Sequence, residues 1–134
     1  MAAVQRVLLI DDDEINNFIC INILTKIGFS ESVKAFESGL DALDYLKELL
    51  SQGKTEELPQ VIFLDINMPI MNGWDFLEAY KELEKPHKIA LFMLSSSIYK
   101  ADVERASKYD DVVEFVTKPL NEGSINALKE KYFG

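Results

Sequence analysis

The chain has 134 residues, of which 48% are hydrophobic, with a net charge of −9 and a single cysteine. That length suits one domain with its own core. The acidic balance speaks against nonspecific binding to DNA or anionic membranes. Cys20 alone rules out an intramolecular disulfide, and the longest apolar runs are strand-sized, too short for a membrane span.

The first segment, MAAVQRVLLIDDD, lacks the charged start and cleavage site of a secretory leader, which with the lone thiol favours a cytoplasmic location. Its apolar run Val4–Ile10 has the length of a strand. Glu14–Ile27 then places Ile15, Phe18, Ile19, Ile23 and Ile27 on one helix face, and Gly28 stops the helix. Cys20 is expected in that apolar face as a small core residue. Ser32–Phe36 is a short strand, and Leu40, Leu43, Leu46 and Leu50 follow at helical spacing. Gln52–Glu57 forms a polar loop, and Val61–Leu64 is a third apolar run. Trp74, Leu77, Tyr80 and Leu83 line a helix that closes before Pro86. Ile89–Leu94 and Val112–Val116 are the fourth and fifth runs, and a last helix carries Ile125, Leu128 and Tyr132. Tyr99–Tyr109 should be the fourth helix. With only Val103, Ala106 and Tyr109 to bury, it is expected to be among the least stable elements.

Strand and helix in alternation predict a parallel sheet covered on both faces, within one domain spanning 1–134 and leaving no room for a second. Polar residues punctuate this pattern. The first run ends in Asp11-Asp12-Asp13, the third in Asp65, the fourth in Ser95-Ser96-Ser97 and the fifth in Thr117-Lys118-Pro119. In a parallel sheet those ends share one edge, and ligands of open α/β sheets bind beyond the strand C-termini. Carboxylates gathered there need a counter-charge. A hard divalent cation such as Mg²⁺ suits them. Lys118 adds a second positive charge and Ser95 a hydroxyl, a set suited to phosphoryl transfer by positioning and charge stabilisation. The nucleophile would be a carboxylate, giving an aspartyl phosphate. Asp13, beside the helix start, reads as an N-cap, and His87 as a solvated loop residue without an acid or metal partner.

LLIDDD at 8–13, FLDINMPIMNG at 63–73, FMLSS at 92–96 and FVTKP at 115–119 together resemble the response regulator receiver domain of two-component systems, the chemotaxis-regulator type. The likeness covers essentially the whole chain. It implies a three-layer, doubly wound (βα)₅ flavodoxin-like fold with sheet order 2-1-3-4-5. It implies Asp65 as phosphoacceptor, Lys118 as the lysine paired with the phosphoryl group, and Ser95 as the switch hydroxyl. Asp12 would bind Mg²⁺ directly and Asp11 largely through water, with Asp65 and the backbone carbonyl of Asn67 completing the protein ligands and Mn²⁺ as a possible substitute. Phe115 matches the aromatic switch residue, Lys118-Pro119 a cis peptide, and Gly73 a tight turn after Met68-Pro69.

The implied donor is a histidine kinase or histidine phosphotransfer domain. The implied output is an unknown protein docking on the face of helix 4, strand 5 and helix 5, with no direct contact to nucleic acid or membrane. The resemblance implies no enzyme activity beyond the domain's own phosphorylation and dephosphorylation. Departures are small: Ser96 stands where the family often has Ala, Leu120 replaces a frequent aromatic, and Gln52–Glu57 lengthens a loop. A pseudo-receiver that only binds partners is disfavoured by the intact site. A phosphatase of the haloacid dehalogenase type wants a second Asp where Asn67 stands. A calcium loop from Asp11 fails because Asn16 occupies the glycine position, and no Gly-rich loop follows the first run to support dinucleotide binding.

Overall fold

A computed structural model describes residues 2–134, so of the expected domain 1–134 only Met1 lies outside. The elements alternate as expected: β1 (Val4–Ile10), α1 (Glu14–Lys26), β2 (Ser30–Phe36), α2 (Gly39–Ser51), β3 (Val61–Asp65), α3 (Gly73–Tyr80), β4 (Ala90–Ser95), α4 (Lys100–Ala106), β5 (Val112–Thr117) and α5 (Glu122–Phe133). The strands form one parallel sheet in the order β2-β1-β3-β4-β5.

The layering follows from strand alternation and crossover handedness. Along β1, Leu8 and Ile10 pack on one face and Val7 and Leu9 on the other; along β3, Ile62 and Leu64 oppose Val61 and Phe63. Both faces are apolar, so both need helices. The β1-to-β2 connection runs outward one way, whereas β2-to-β3, β3-to-β4 and β4-to-β5 run the other way. Right-handed crossovers therefore put α1 on one face and α2, α3 and α4 on the opposite one. The two cores agree. Ala42, Leu46, Phe76, Leu77 and Ala106 pack with Ile10 and Leu64, while Cys20, Leu24, Ile125 and Leu128 pack with Leu9 and Phe63, so α5 shares the face of α1.

Caps explain several helix starts. Asp13 accepts from the Ile15 and Asn16 amides, Ser38 from Asp41, and Asn72 and Asn121 form capping boxes with Asp75 and Ser124. Gly28, at φ +73°, ends the first helical segment in the left-handed region.

Four expectations are corrected. The buried line of α1 is Asn17, Cys20 and Leu24; Ile15 is 72% exposed, Phe18 67% and Ile19 48%. In α2, Leu49 is buried, Leu40 is exposed and Leu50 only half-buried. Helix α3 does close before Pro86, but already at Tyr80, so Leu83 lies outside it, and Lys85 then donates to the Tyr80 carbonyl. The polar loop contains a 3-10 turn at Thr55–Glu57. Helix α4 is as thinly anchored as its sequence suggested: Ala106 is its one buried residue, and Tyr99 caps it without a side-chain hydrogen bond.

Candidate functional site

The sheet places Asp11 and Asp65 side by side. Ile10 registers with Leu64, so the residue after β1 lies beside the last residue of β3. Asp65 registers with Leu94, and Ser95 with Thr117. The rim thus holds Asp11, Asp65, Ser95 and Lys118 in neighbouring positions. It also coincides with the β1/β3 boundary where the winding direction reverses, the place where a crevice opens in such sheets.

Asp11, Asp12 and Asp65 each present an oxygen within 4.8 Å of the others. Asp11 is fully buried and Asp65 nearly so, whereas Asp12 is exposed. The Lys118 ammonium sits 2.8 Å from Asp11 Oδ2 and 3.5 Å from Asp65 Oδ2, so it favours Asp11. Lys118 reaches this position from a cis Lys118-Pro119 peptide, and its own backbone N–H donates to the Ser95 carbonyl at 2.8 Å. Burial, followed by the Asp11 charge, lifts the Asp65 carboxyl to about 6; Lys118 and the Asn67 amide offset only part of that rise. For Lys118, burial works against the charged form, but the hydrogen bond and charge of Asp11, with those of Asp65, hold its pKa above the ordinary lysine value.

The remaining expected residues each make contacts of their own. The Asn67 amide donates to Asp65 Oδ1 at 3.2 Å, which pins the loop after β3 to the carboxylate. Gly73 donates to the Ile66 carbonyl, and a Cβ there would meet the Asp65 carbonyl oxygen and Ile66 Cα at 2.9 Å. Its φ is not in the left-handed region. Gly73 is therefore required by close approach and not, as the sequence suggested, by turn conformation. The Ser95 hydroxyl donates to the Ser97 carbonyl at 2.6 Å and accepts from the Ser97 amide. Phe115 is half-buried, its ring 6.3 Å from Trp74; Tyr109 lies 6.1 Å from the same indole, and the Arg105 guanidinium covers it at 4.4 Å.

Two residues of the site were missed as site residues in sequence. Asn16 Nδ2 donates to Asp11 Oδ2 at 2.8 Å, and Asn17 Nδ2 donates to the Asp11 backbone carbonyl at 2.8 Å. Their signal was present: two adjacent amides in the first turn of a helix whose other positions are mostly apolar. The loop between Asp65 and α3 holds a further oddity. Ile70 has φ +67°, is 95% exposed, and is bracketed by a Met71 amide to Pro69 carbonyl bond of 2.7 Å. That is a strained γ-turn centred on a β-branched residue.

The donor set fits a hard cation: three carboxylates, one of them exposed, whose oxygens lie within 4.8 Å of one another. Among the described residues no helix is long and apolar enough to cross a membrane.

The response regulator receiver domain family matches residues 7–129. A crystal structure of a two-component response regulator from Cytophaga hutchinsonii superposes with a TM-score of 0.84 at 36% identity, covering 96% of both chains. A response regulator receiver protein from Dyadobacter fermentans gives 0.79 at 31% identity, covering 97% of this chain and 99% of that one. A chemotaxis protein CheY homolog of Campylobacter jejuni is 30% identical over 95% of this chain and 88% of its own length.

Proposed function

The chain belongs to the response regulator receiver family, and from that premise we propose that it accepts a phosphoryl group on Asp65 from a partner's phosphohistidine in a Mg²⁺-dependent reaction. The observation that carries this reading is Lys118 placed between the carboxylates of Asp11 and Asp65, next to an exposed third carboxylate. An Asp65 oxygen forms the new bond to phosphorus as the donor's N–P bond breaks and the imidazole leaves. Asp12, Asp65 and the Asn67 carbonyl would hold the metal, with Asp11 behind a water, and Mn²⁺ could replace it. When bound, the ion supplies positive charge that offsets the carboxylates and the phosphoryl oxygens. Lys118 moves from Asp11 towards the phosphoryl oxygens. Ser95 exchanges its bond to the Ser97 carbonyl for one to the phosphoryl group, and Phe115 follows into the space released.

The donor is a histidine kinase or a histidine phosphotransfer domain. The exposed Ile15, Phe18 and Ile19 lie on the helix that starts at the acidic rim, which supports α1 as the surface where it docks. Output runs through a protein bound at the α4-β5-α5 face, whose α4-β5 part holds a mostly apolar groove of about 390 Å³ lined by Ile98, Val103, Ala106, Val112 and Phe115, with Ser107 and Glu114 at its polar side. The domain carries out no turnover beyond forming and losing its own acyl phosphate, and it acts in the cytoplasm.

Mass spectrometry of wild type and Asp65→Asn treated with acetyl phosphate, with and without Mg²⁺, tests the chemistry. One added phosphoryl group that needs both Asp65 and the metal is the expected result. Labelling that survives the substitution or the chelator rules the reading out.

A further inference from the structure

We propose that Asn16 is a positioning residue that sets how readily Lys118 leaves Asp11 for the phosphoryl group, an inference that rests on the phosphoacceptor reading of Asp65. Asp11 is wholly buried, so each oxygen of its carboxylate needs donors. Oδ1 has the Asp13 amide at 3.0 Å. Oδ2 has two donors, the Lys118 ammonium at 2.8 Å and the Asn16 amide at 2.8 Å. The same lysine is 3.5 Å from Asp65, the atom group that must acquire phosphorus. For Lys118 to serve a phosphoryl group on Asp65, it has to give up the shorter of its two contacts.

That transfer would be costly if Lys118 were the only donor to Oδ2, because a buried carboxylate oxygen would be left bare. Asn16 removes the difficulty. Its amide is neutral, sits on the first turn of α1 behind the Asp13 cap, and stays on Oδ2 when the lysine departs. Asn17 holds the Asp11 backbone carbonyl from the next position, so the carboxylate does not follow the lysine out. With two donors sharing one oxygen, each holds it less tightly than it would alone. Asn16 thereby loosens the grip of Asp11 on Lys118 in the resting site.

Removing the Asn16 amide should tighten the Lys118–Asp11 pair and slow phosphorylation. One hydrogen bond to a charged group, partly replaced by water, corresponds to roughly a tenfold slower rate. The experiment compares wild type, Asn16→Ala, Lys118→Ala and the double variant, measuring labelling rates with acetyl phosphate and, without any phosphodonor, Mg²⁺ affinity by calorimetry. Circular dichroism melts check that each is folded. The expected result is a roughly tenfold loss for Asn16→Ala that vanishes in the Lys118→Ala background, with Mg²⁺ affinity unchanged within about twofold. Asn16→Ser, which keeps a donor, should recover part of the rate. An equal loss in both backgrounds overturns the proposal, since Asn16 would then act independently of the lysine. So does a tenfold fall in Mg²⁺ affinity, which would assign Asn16 to orienting Asp11 for the metal, and so does an unaltered rate in Asn16→Ala. Failure of wild type itself to be labelled on Asp65 would instead bring down the phosphoacceptor reading, and this proposal with it.

Discussion

Replacing Asp65 with Asn is expected to stabilise the metal-free protein at neutral pH. Burial and the neighbouring Asp11 charge lift the Asp65 carboxyl from 3.8 to about 6. At ~1.4 kcal/mol for each tenfold change in proton affinity, ionising it in the folded state opposes folding by about 3 kcal/mol. Solvent relaxing at the open rim reduces this, so a gain of roughly 1–3 kcal/mol is expected. The sign is fixed by linkage. Between pH ~4 and ~6 the folded state holds the Asp65 proton more tightly than the unfolded chain, so wild-type stability attributable to this group falls as pH rises through that window and then levels off. Asn resembles the protonated acid in shape and does not titrate, so the gap between variant and wild type should open over the same window. Urea unfolding in EDTA, repeated from pH 4 to 7.5, measures it. Saturating Mg²⁺ should then narrow the gap by stabilising wild type, by ~2.7 kcal/mol at a hundredfold excess over Kd. A variant less stable than wild type at pH 7 in EDTA, or a gap that does not change with pH, refutes this account of the site's electrostatics.

Three other substitutions probe separate parts of the molecule. Gly73→Ala puts a Cβ 2.9 Å from the backbone of Asp65 and Ile66, which cannot yield as a side chain would; a loss of about 1–3 kcal/mol in urea unfolding and slower labelling of Asp65 are expected. Ile70→Gly relieves the φ of +67° at an exposed position. Its strain relief outweighs the added chain entropy, for a net gain of roughly 0.5–1 kcal/mol by the same assay. Phe18→Asp should leave stability within about 0.5 kcal/mol. It should slow phosphotransfer from a histidine-bearing donor protein at least tenfold by radiolabel transfer while leaving acetyl phosphate labelling intact; equal effects on both donors would remove α1 from the docking surface.

The sheet and its rim were legible because buried parallel strands are continuous apolar runs, and because residues at their C-terminal ends must converge whatever separates them in sequence. Asp11, Asp65, Ser95 and Lys118 needed only strand ends to be located. Helix faces were less legible where apolar residues surround the helix. In α1, Ile15, Phe18, Ile19, Ile21, Ile23 and Leu24 leave little polar face to orient by. The choice is made by Asn17, which turns inward to bond the Asp11 carbonyl and carries Cys20 and Leu24 in with it. In α2 the single-position shift from Leu50 to Leu49 has the same origin, since Leu49 and Leu50 are equally apolar neighbours. The early end of α3 lies in a tertiary contact: Lys85 lies 4.1 Å above the Tyr80 ring, bonds its carbonyl, and sits 3.8 Å from Asp111, which periodicity does not encode.

The lone tryptophan of the chain has a practical value that its packing creates. Trp74 is the second residue of α3, immediately after the glycine pressed against Asp65, and its indole lies among Phe115, Tyr109 and Arg105. A guanidinium over an indole perturbs its emission, so any displacement of α4 or β5 changes the fluorescence of one identifiable chromophore. Under the proposed function, this built-in optical sensor would follow metal loading and acyl phosphate lifetime in stopped flow without a label.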